Sequence, residues 1–551
     1  MPSSLQRIYA PASRRPSWTS TLLRLALLIL AAWLIWGNAW ISDDAVITLR
    51  TVLNLLTGHG ARFNIDERVQ AYTHPLWFGL LTLGTALTGN AFLATTWLGI
   101  ALSVAVVGWL LWLAESPWQG LLAAGALLAS MAFIEFSTSG LENPLSHLLI
   151  LAAATALIRI HDVHTDPLRQ ARWLRGFFLC AGLLYLSRPD LVLLLAPCAL
   201  QLLLSTRSIA VHTRIRALLW AAVPVLIWTA FSLLYYGFPF PNTAYAKLGT
   251  GITQHALWRQ GWHYFGNMRA DPITLAVSAL AVLLAPWVRR WGWSWALGVA
   301  LYLIYVASIG GDFMAGRFFT APMLAGAIAL ARVRLPLSRT ALLLTLGLLT
   351  LAVPGLAWKN IHTNVRTAYT HKLPAKDVLD RYLIADERSF HFDYNSLAII
   401  TTAPKLATYL AQFHPNNYGA HHTPRSIGIT CGGLGLLSIL GGQDQHIIDP
   451  CGLADPLLAR LPIDLKHLPL DQMMGMPNRP NEPNWRIGHF ERAMPAGYAD
   501  SIQQDANLLT DPTLHACYER IRRITRAPLL DSQRLRDIVH VNLVGTGCRA
   551  P

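Results

Sequence analysis

Two adjacent carboxylates, Asp43 and Asp44, directly follow the first long apolar run of the sequence, where a membrane helix should be ending. Glu142, Asp190, Asp271 and Asp312 stand at the ends of later apolar runs, Asp66 and Glu67 lie in the first long connection, and Glu135 sits just inside a helix end. The same connections carry Arg50, Arg68, His74, Arg188, Lys247 and Arg317. A positioned carboxylate can take the proton of an attacking hydroxyl, and cations can stabilise the charge on a departing lipid phosphate. Arginine holds phosphate through two parallel N–H bonds and lysine acts as a point charge, so Arg188, Arg317 and Lys247 are the candidate clamps. Each charge also has a plain structural reading. Asp43 or Asp44 could cap a helix beginning near Ala45, Glu142 could favour the start of the next helix, and Arg188 could pair with Asp190 across Pro189.

The elements that must position these groups are membrane helices. The chain has 551 residues, of which 53% are hydrophobic and only 13% charged, with 20 tryptophans. That is too apolar for an ordinary soluble domain. Apolar runs occur at about 22–40, 91–113, 119–136, 143–160, 173–187, 190–206, 214–236, 272–288, 292–310, 318–333 and 338–357. The run at 76–88, between His74-Pro75 and Gly89-Asn90, is too short to cross and reads as interfacial or re-entrant. With eleven crossings, most lysines and arginines of this half fall at cytoplasmic ends; a twelfth crossing would invert the later loops and put most of them outside. The expected topology therefore has a cytoplasmic N-terminus, and the first run, preceded by Arg7, Arg14 and Arg15, lacks the small-residue cleavage pattern of a signal peptide. The connections 41–90, 137–143, 187–190, 237–271 and 310–317 then share the outer face with everything after residue 357.

Residues 358–551 read as a separate mixed α/β domain, large enough to bury its own core. Ser396–Thr401 and Ser426–Thr430 are strand-like, Pro404–Phe413 is helix-like, and Gly432-Gly433 and Gly441-Gly442 mark tight connections. Of the six cysteines, Cys180 and Cys198 fall in apolar helices, whereas Cys431, Cys451, Cys517 and Cys548 fall in this domain. Four cysteines in an oxidising compartment allow three pairings. Proximity in sequence favours Cys431 with Cys451 and Cys517 with Cys548.

The run Asp43-Asp44, Gly58-His59-Gly60, Asn64 and Glu67-Arg68-Val69-Gln70-Ala71-Tyr72-Thr73-His74-Pro75-Leu76-Trp77 resembles the first outer loop of membrane glycosyltransferases of the GT-C superfamily. It is most similar to arabinofuranosyltransferases that take arabinose from a polyprenyl phosphate, in actinobacterial cell-wall synthesis and in pilin glycosylation. The resemblance continues through Ser139-Gly140-Leu141-Glu142, Ser187-Arg188-Pro189-Asp190 and Gly310-Gly311-Asp312-Phe313-Met314-Ala315-Gly316-Arg317-Phe318. It then covers Ile448-Asp449-Pro450-Cys451-Gly452-Leu453-Ala454-Asp455 and Arg486-Ile487-Gly488-His489-Phe490-Glu491-Arg492-Ala493-Met494-Pro495.

The resemblance implies a polytopic α-helical GT-C fold of about eleven membrane helices (residues 1–357) with an extracytoplasmic C-terminal domain (358–551), in a bacterial inner membrane. It implies transfer of a sugar, arabinofuranose first among candidates, to a cell-envelope glycan or pilin-type glycoprotein. No nucleic-acid partner is expected. Asp44 is then the candidate base with Asp43 in support. Arg188, Arg317, Lys247, His74, Tyr72, Glu142, Asp190 and Asp312 form the donor site, and Glu67, Arg68, Asp449 and His489 the acceptor side, where Asp455, Arg486 and Arg492 could also face the cavity. Trp77 and Tyr72 have a second reading as headgroup-level anchors. A single base suits inversion at the anomeric carbon, although members of such families also retain configuration.

Two other readings stay open. A divalent cation could sit on Asp43, Asp44, Glu142 and His74 through oxygen and nitrogen ligands, yet no spaced ligand motif occurs and no cofactor fingerprint is present. A lipid-linked-sugar flippase would place ionisable groups near the bilayer midplane, and the middles of these runs hold almost none. A different polyprenyl-phosphosugar would leave the same charges in place.

Overall fold

The computed structural model of the chain describes residues 18–162, 166–205, 209–288, 290–334, 347, 380–397, 410–418, 426–463 and 485–548. The first half is a helical bundle: α1 (Trp18–Gly37), α2 (Asp43–Leu56), α3 (Pro75–Thr88), α4 (Ala91–Leu113), α5 (Pro117–Leu128), α6 (Met131–Phe136), α7 (Asn143–Asp162), α8 (Pro167–Ser187), α9 (Val192–Ser205), α10 (Val211–Tyr235), α11 (Asn242–Lys247), α12 (Gln254–Asn267), α13 (Pro272–Leu283), α14 (Gly292–Ser308) and α15 (Thr320–Arg332). Among the described residues four stretches, Trp18–Gly37, Ala91–Leu113, Asn143–His161 and Val211–Tyr235, are long and apolar enough to cross a membrane. At 1.5 Å per residue, 20 residues span about 30 Å, the thickness of the hydrocarbon core.

Sequence chemistry sets the ends of the helices. Pro75 at the first helical position starts α3, and Gly89, at φ 72°, stops it. Its 14 residues reach about 21 Å, no less than α9, α13 or α15, so length alone does not set it apart from them. The run 119–136 is not one helix. Ser130 accepts the Phe133 N–H at 2.9 Å and begins a new helix, so the run divides into α5 and α6. The expected span 338–357, the N-terminal arginines Arg7, Arg14 and Arg15, and the boundary at 357 lie outside the described residues.

The second half contributes α16 (Glu387–Asn395), α17 (Pro415–Tyr418), β1 (Ile427–Ile429), α18 (Leu434–Leu440), β2 (His446–Ile448), α19 (Tyr498–Gln503), α20 (Pro512–Arg526) and α21 (Ser532–Leu543). β1 and β2 pair in parallel, Ile427 opposite His446, with α18 as the crossover. The strand expected at 426–430 is therefore present. Of the strand expected at 396–401, Ser396 forms a single bridge to Trp40 and residues 398–401 lie outside the described residues, as do 404–409 of the expected helix. Disulfides join Cys431 to Cys451 and Cys517 to Cys548, the pairing that proximity favours.

The two halves meet along α2. Arg50, fully buried, donates to the carbonyls of Phe63, Ser438, Gly442 and Gln445. α18 crosses α2 so closely that a Cβ on Gly435 would stand 2.1 Å from the Asp43 carbonyl oxygen, which only glycine permits. α16 is stitched to the chain just before Asp43: Ile41 N–H donates to Asn395 O and Leu397 N–H to Ala39 O.

Candidate active site

Ser42, not either aspartate, caps α2, its side chain accepting the Ala45 N–H at 3.3 Å. That leaves both carboxylates in the first turn, about 100° apart around the axis, and their environments differ. Asp43 accepts the Gly435 and Leu436 N–H groups at 3.0 and 2.8 Å, so it caps α18, whose own cap residue Gly433 has no side chain to offer. Asp44 accepts no hydrogen bond from any described residue. Burial pushes its carboxyl up to about 6 against the pull of Lys247 and Arg317, with Asp43 and Glu387 adding repulsion. A carboxyl so placed is ionised at neutral pH and still basic enough to accept a proton.

Asp43→Ala is therefore expected to lower stability by about 1–2 kcal/mol through loss of the α18 cap, with a smaller effect on transfer than any change at Asp44. Thermal unfolding and initial rate, measured on the same preparation, check this; an unchanged midpoint would mean that α18 does not rely on Asp43.

Next to Asp44 lies a buried charge network. Glu142 Oε2 is 3.1 Å from His74 Nδ1, and Glu142 Oε1 is 3.1 Å from Arg317 Nη2 and 3.9 Å from Arg188 Nε. Arg188 also grips Asp190 in a fork, Nε to Oδ1 at 3.1 Å and Nη2 to Oδ2 at 2.8 Å, so the plain ion-pair reading holds for this couple. Tyr302 OH closes that corner, 3.0 Å from Arg188 Nη2. Arg317 reaches Asp312 at 3.5 Å, and Thr48 holds the other ring nitrogen of His74 at 3.0 Å. Burial alone would raise the Glu142 carboxyl, but Arg317, His74 and Arg188 hold it far below the usual carboxylate range.

Local sequence places each member. Pro189 disfavours helix at the residue before it, so α8 ends at Ser187 and Arg188 turns out in extended conformation (φ −156°, ψ 99°). Arg317 follows Gly316, whose φ of 77° bends the chain into a short 3-10 turn. Arg317 Nε is buried with no partner among the described residues, a donor left over for a ligand. Lys247, exposed at the end of α11, has no ion-pair partner among the described residues and pulls on Asp44 electrostatically.

Of the acceptor-side candidates, His489 reaches this region. Its ring meets Phe313 edge-on at 4.5 Å, and burial, with Arg486 beside it, pushes its pKa down to about 3. Glu67 and Arg68 instead join the first long loop to the second half, and Asp449 ties a turn within the second half. Glu67 lies 3.6 Å from Arg526, Arg68 donates to the carbonyls of Tyr235, Ile524 and Ala527, and Asp449 accepts the Cys451 and Ala454 N–H groups at 2.9 Å. Asp455 and Arg492 are likewise bound to Tyr498 and to backbone carbonyls. Tyr72 stacks on Phe78 at 4.3 Å and bonds Tyr236 OH at 2.9 Å within a buried aromatic group. Trp77 is wholly buried, its indole N–H on Gly140 O at 2.8 Å, so it is a core residue and not a headgroup anchor.

Two residues that sequence reasoning passed over belong here. Glu387 and His391, one turn apart on α16, are 3.1 Å from each other, and Arg486 stands 3.1 Å from Glu387. Burial would lower the His391 pKa, but Glu387, Asp43 and Asp44 raise it, while His391 and Arg486 draw Glu387 down to about 2. The i, i+4 spacing of a glutamate and a histidine was the available signal. Among the described residues no three His, Cys, Asp or Glu side chains converge as metal ligands. Of the four candidate ligands, Asp43 is committed to amides, and Glu142 and His74 to each other.

No family model matches the chain. It is 28% identical to the terminal β-(1→2)-arabinofuranosyltransferase of Corynebacterium glutamicum over an alignment covering 90% of this chain and 81% of that protein. It is equally 28% identical to the enzyme of that name from Mycobacterium tuberculosis, covering 94% and 93%. Among solved structures, ArnT from Cupriavidus metallidurans bound to undecaprenyl phosphate aligns with a TM-score of 0.46 and 12% identity over 78% of this chain and 86% of its own. The oligosaccharyltransferase AglB from Archaeoglobus fulgidus gives 0.46 and 12% over 80% and 65%. The chain resembles the terminal β-(1→2)-arabinofuranosyltransferases over at least 90% of its length.

Proposed function

We propose that the protein moves arabinofuranose from a polyprenyl phosphate to a hydroxyl of a cell-envelope glycan or pilin-type glycoprotein, at the outer face of a bacterial inner membrane. The observation that carries this reading is the Asp44 carboxylate, without a hydrogen-bond partner among the described residues and within the field of Lys247 and Arg317. The donor phosphate would lie against Arg317 Nε and Lys247, with Glu142, Asp190 and Asp312 fixing the arginines in orientation. The acceptor oxygen bonds to the anomeric carbon as the bond to the phosphate oxygen breaks. The leaving phosphate takes the electron pair, and Asp44 takes the hydroxyl proton. Residues 1–357 would form the membrane half, crossing eleven times, and residues 358–551 the periplasmic domain beneath which the acceptor enters.

The resemblance to named arabinofuranosyltransferases supports the choice of sugar. Radiolabelled arabinose supplied as synthetic polyprenyl-phosphoarabinose should pass to a supplied envelope glycan or pilin in membranes containing the protein. Label moving only from another polyprenyl-phosphosugar would replace the sugar and keep the site. Donor crossing protein-containing vesicles without any transfer would sink the reading in favour of a flippase.

A further inference from the structure

The last helix, α21, shows two unlike faces. Its inner face, Arg534, Asp537, Ile538 and Val541, is buried against α20 and the segment that follows α10. Its outer face carries Leu535, Val539 and Leu543 at four-residue spacing, the last two 58% and 81% exposed, with Leu530 just before the helix 77% exposed. Arg536 and His540 run beside this stripe, also at four-residue spacing and exposed.

The helix lies flat across the end of α10. Arg534 Nη2, near the start of α21, donates to the Leu234 and Tyr235 carbonyls at 2.9 and 3.0 Å. Asn542, near its end, donates to the Gly237 carbonyl at 2.9 Å. These two residues stand about 12 Å apart along α21, yet both bond carbonyls within residues 234–237, where α10 ends and its following turn begins. α10 is the least buried of the long apolar helices, with Leu226 and Ile227 63% and 65% exposed, as befits a helix facing lipid, and its exposed apolar side continues to Phe231 and Leu234. α21 thus sits at the end of that exposed apolar helix.

We infer that α21 is an interfacial helix: its Leu535–Val539–Leu543 stripe dips into the leaflet in which α10 ends, and Arg536 and His540 reach anionic phospholipid headgroups. An apolar stripe edged by an arginine and an imidazole, lying in the plane of the interface, has the chemistry of such helices. Bound this way, α21 fixes the height of the C-terminal domain above the bilayer.

The test uses the full chain with Val539→Cys carrying an environment-sensitive fluorophore, in vesicles of phosphatidylcholine with a minority of phosphatidylglycerol. Label on the unsubstituted chain, whose free cysteines are the half-buried Cys180 and the buried Cys198, supplies the background. Phospholipid bearing a nitroxide at a shallow acyl position should quench the probe by about twofold or more. A probe that nitroxide lipid leaves bright while aqueous iodide quenches it would show the stripe in water and overturn the inference. A probe protected from both would show another protein over the stripe and overturn it equally.

Discussion

Asp44→Asn is expected to lower the initial rate of transfer by about 10²–10⁴-fold, the range for losing a positioned general base, with little loss of stability. The amide keeps the shape of the carboxylate, and Asp44 has no hydrogen bond from a described residue to forfeit. The wild type should also show a pH signature. Burial sets the Asp44 carboxyl at about 6, and the base works only when ionised. Activity should therefore rise about tenfold per pH unit below that value and flatten above it, whereas the residual rate of the variant should lack this limb. Asp43→Asn, whose side-chain oxygen can still accept an α18 amide hydrogen, should retain most activity and the acid limb. If Asp44→Asn keeps its rate within a few-fold of wild type, the proton goes elsewhere, and the neighbouring Glu387–His391 pair becomes the group to replace.

The second large effect is expected at Glu142. Arg317, His74 and Arg188 share this one carboxylate in a place where its side chain is 2% exposed. Leaving buried charges without their counter-ion costs about 3–5 kcal/mol, so Glu142→Gln should lower the unfolding midpoint and the yield of folded protein well beyond anything seen for Asp44→Asn. Pairing it with Arg317→Met removes a cation left with Asp312 alone, and the double variant should be less destabilised than the sum of the two single changes. Thermal unfolding of the four proteins in the same lipid discs decides. Additive losses, or a Glu142→Gln midpoint equal to wild type, would mean that the carboxylate does not hold these cations in place.

The sequence displays the members of this network more clearly than their partners. Glu142, Arg188, Asp190, Asp312 and Arg317 each stand at the end of an apolar run, where a charge is conspicuous, and all of them come together. Glu67 and Arg68 look the same as letters, but their partners stand hundreds of residues away, and Asp449 spends its carboxylate on the amides of its own turn, neither of which a charge count reveals. Tyr72 and Trp77 went inward for a related reason: an aromatic with a polar atom suits an interface, yet Tyr236 OH and Gly140 O satisfy both within the core. Glu387 and His391 escaped notice because they follow the last apolar run, although α16 is stitched to the residues immediately before Asp43. The division of α5 from α6 depends on one serine in an otherwise apolar run, a signal that hydropathy averages away.

The grip of α18 on α2 bears on how a bulky acceptor reaches the reacting centre. Asp43 and Arg50 fasten α2 to the second half on either side of Asp44's own turn, and Gly435 leaves no gap between the two helices. The second half therefore cannot tilt away as a hinged cover without carrying Asp44 with it. In the proposed reaction an acceptor would then enter from the side, through segments that leave this seam closed, and Asp44 would keep its place from one transfer to the next.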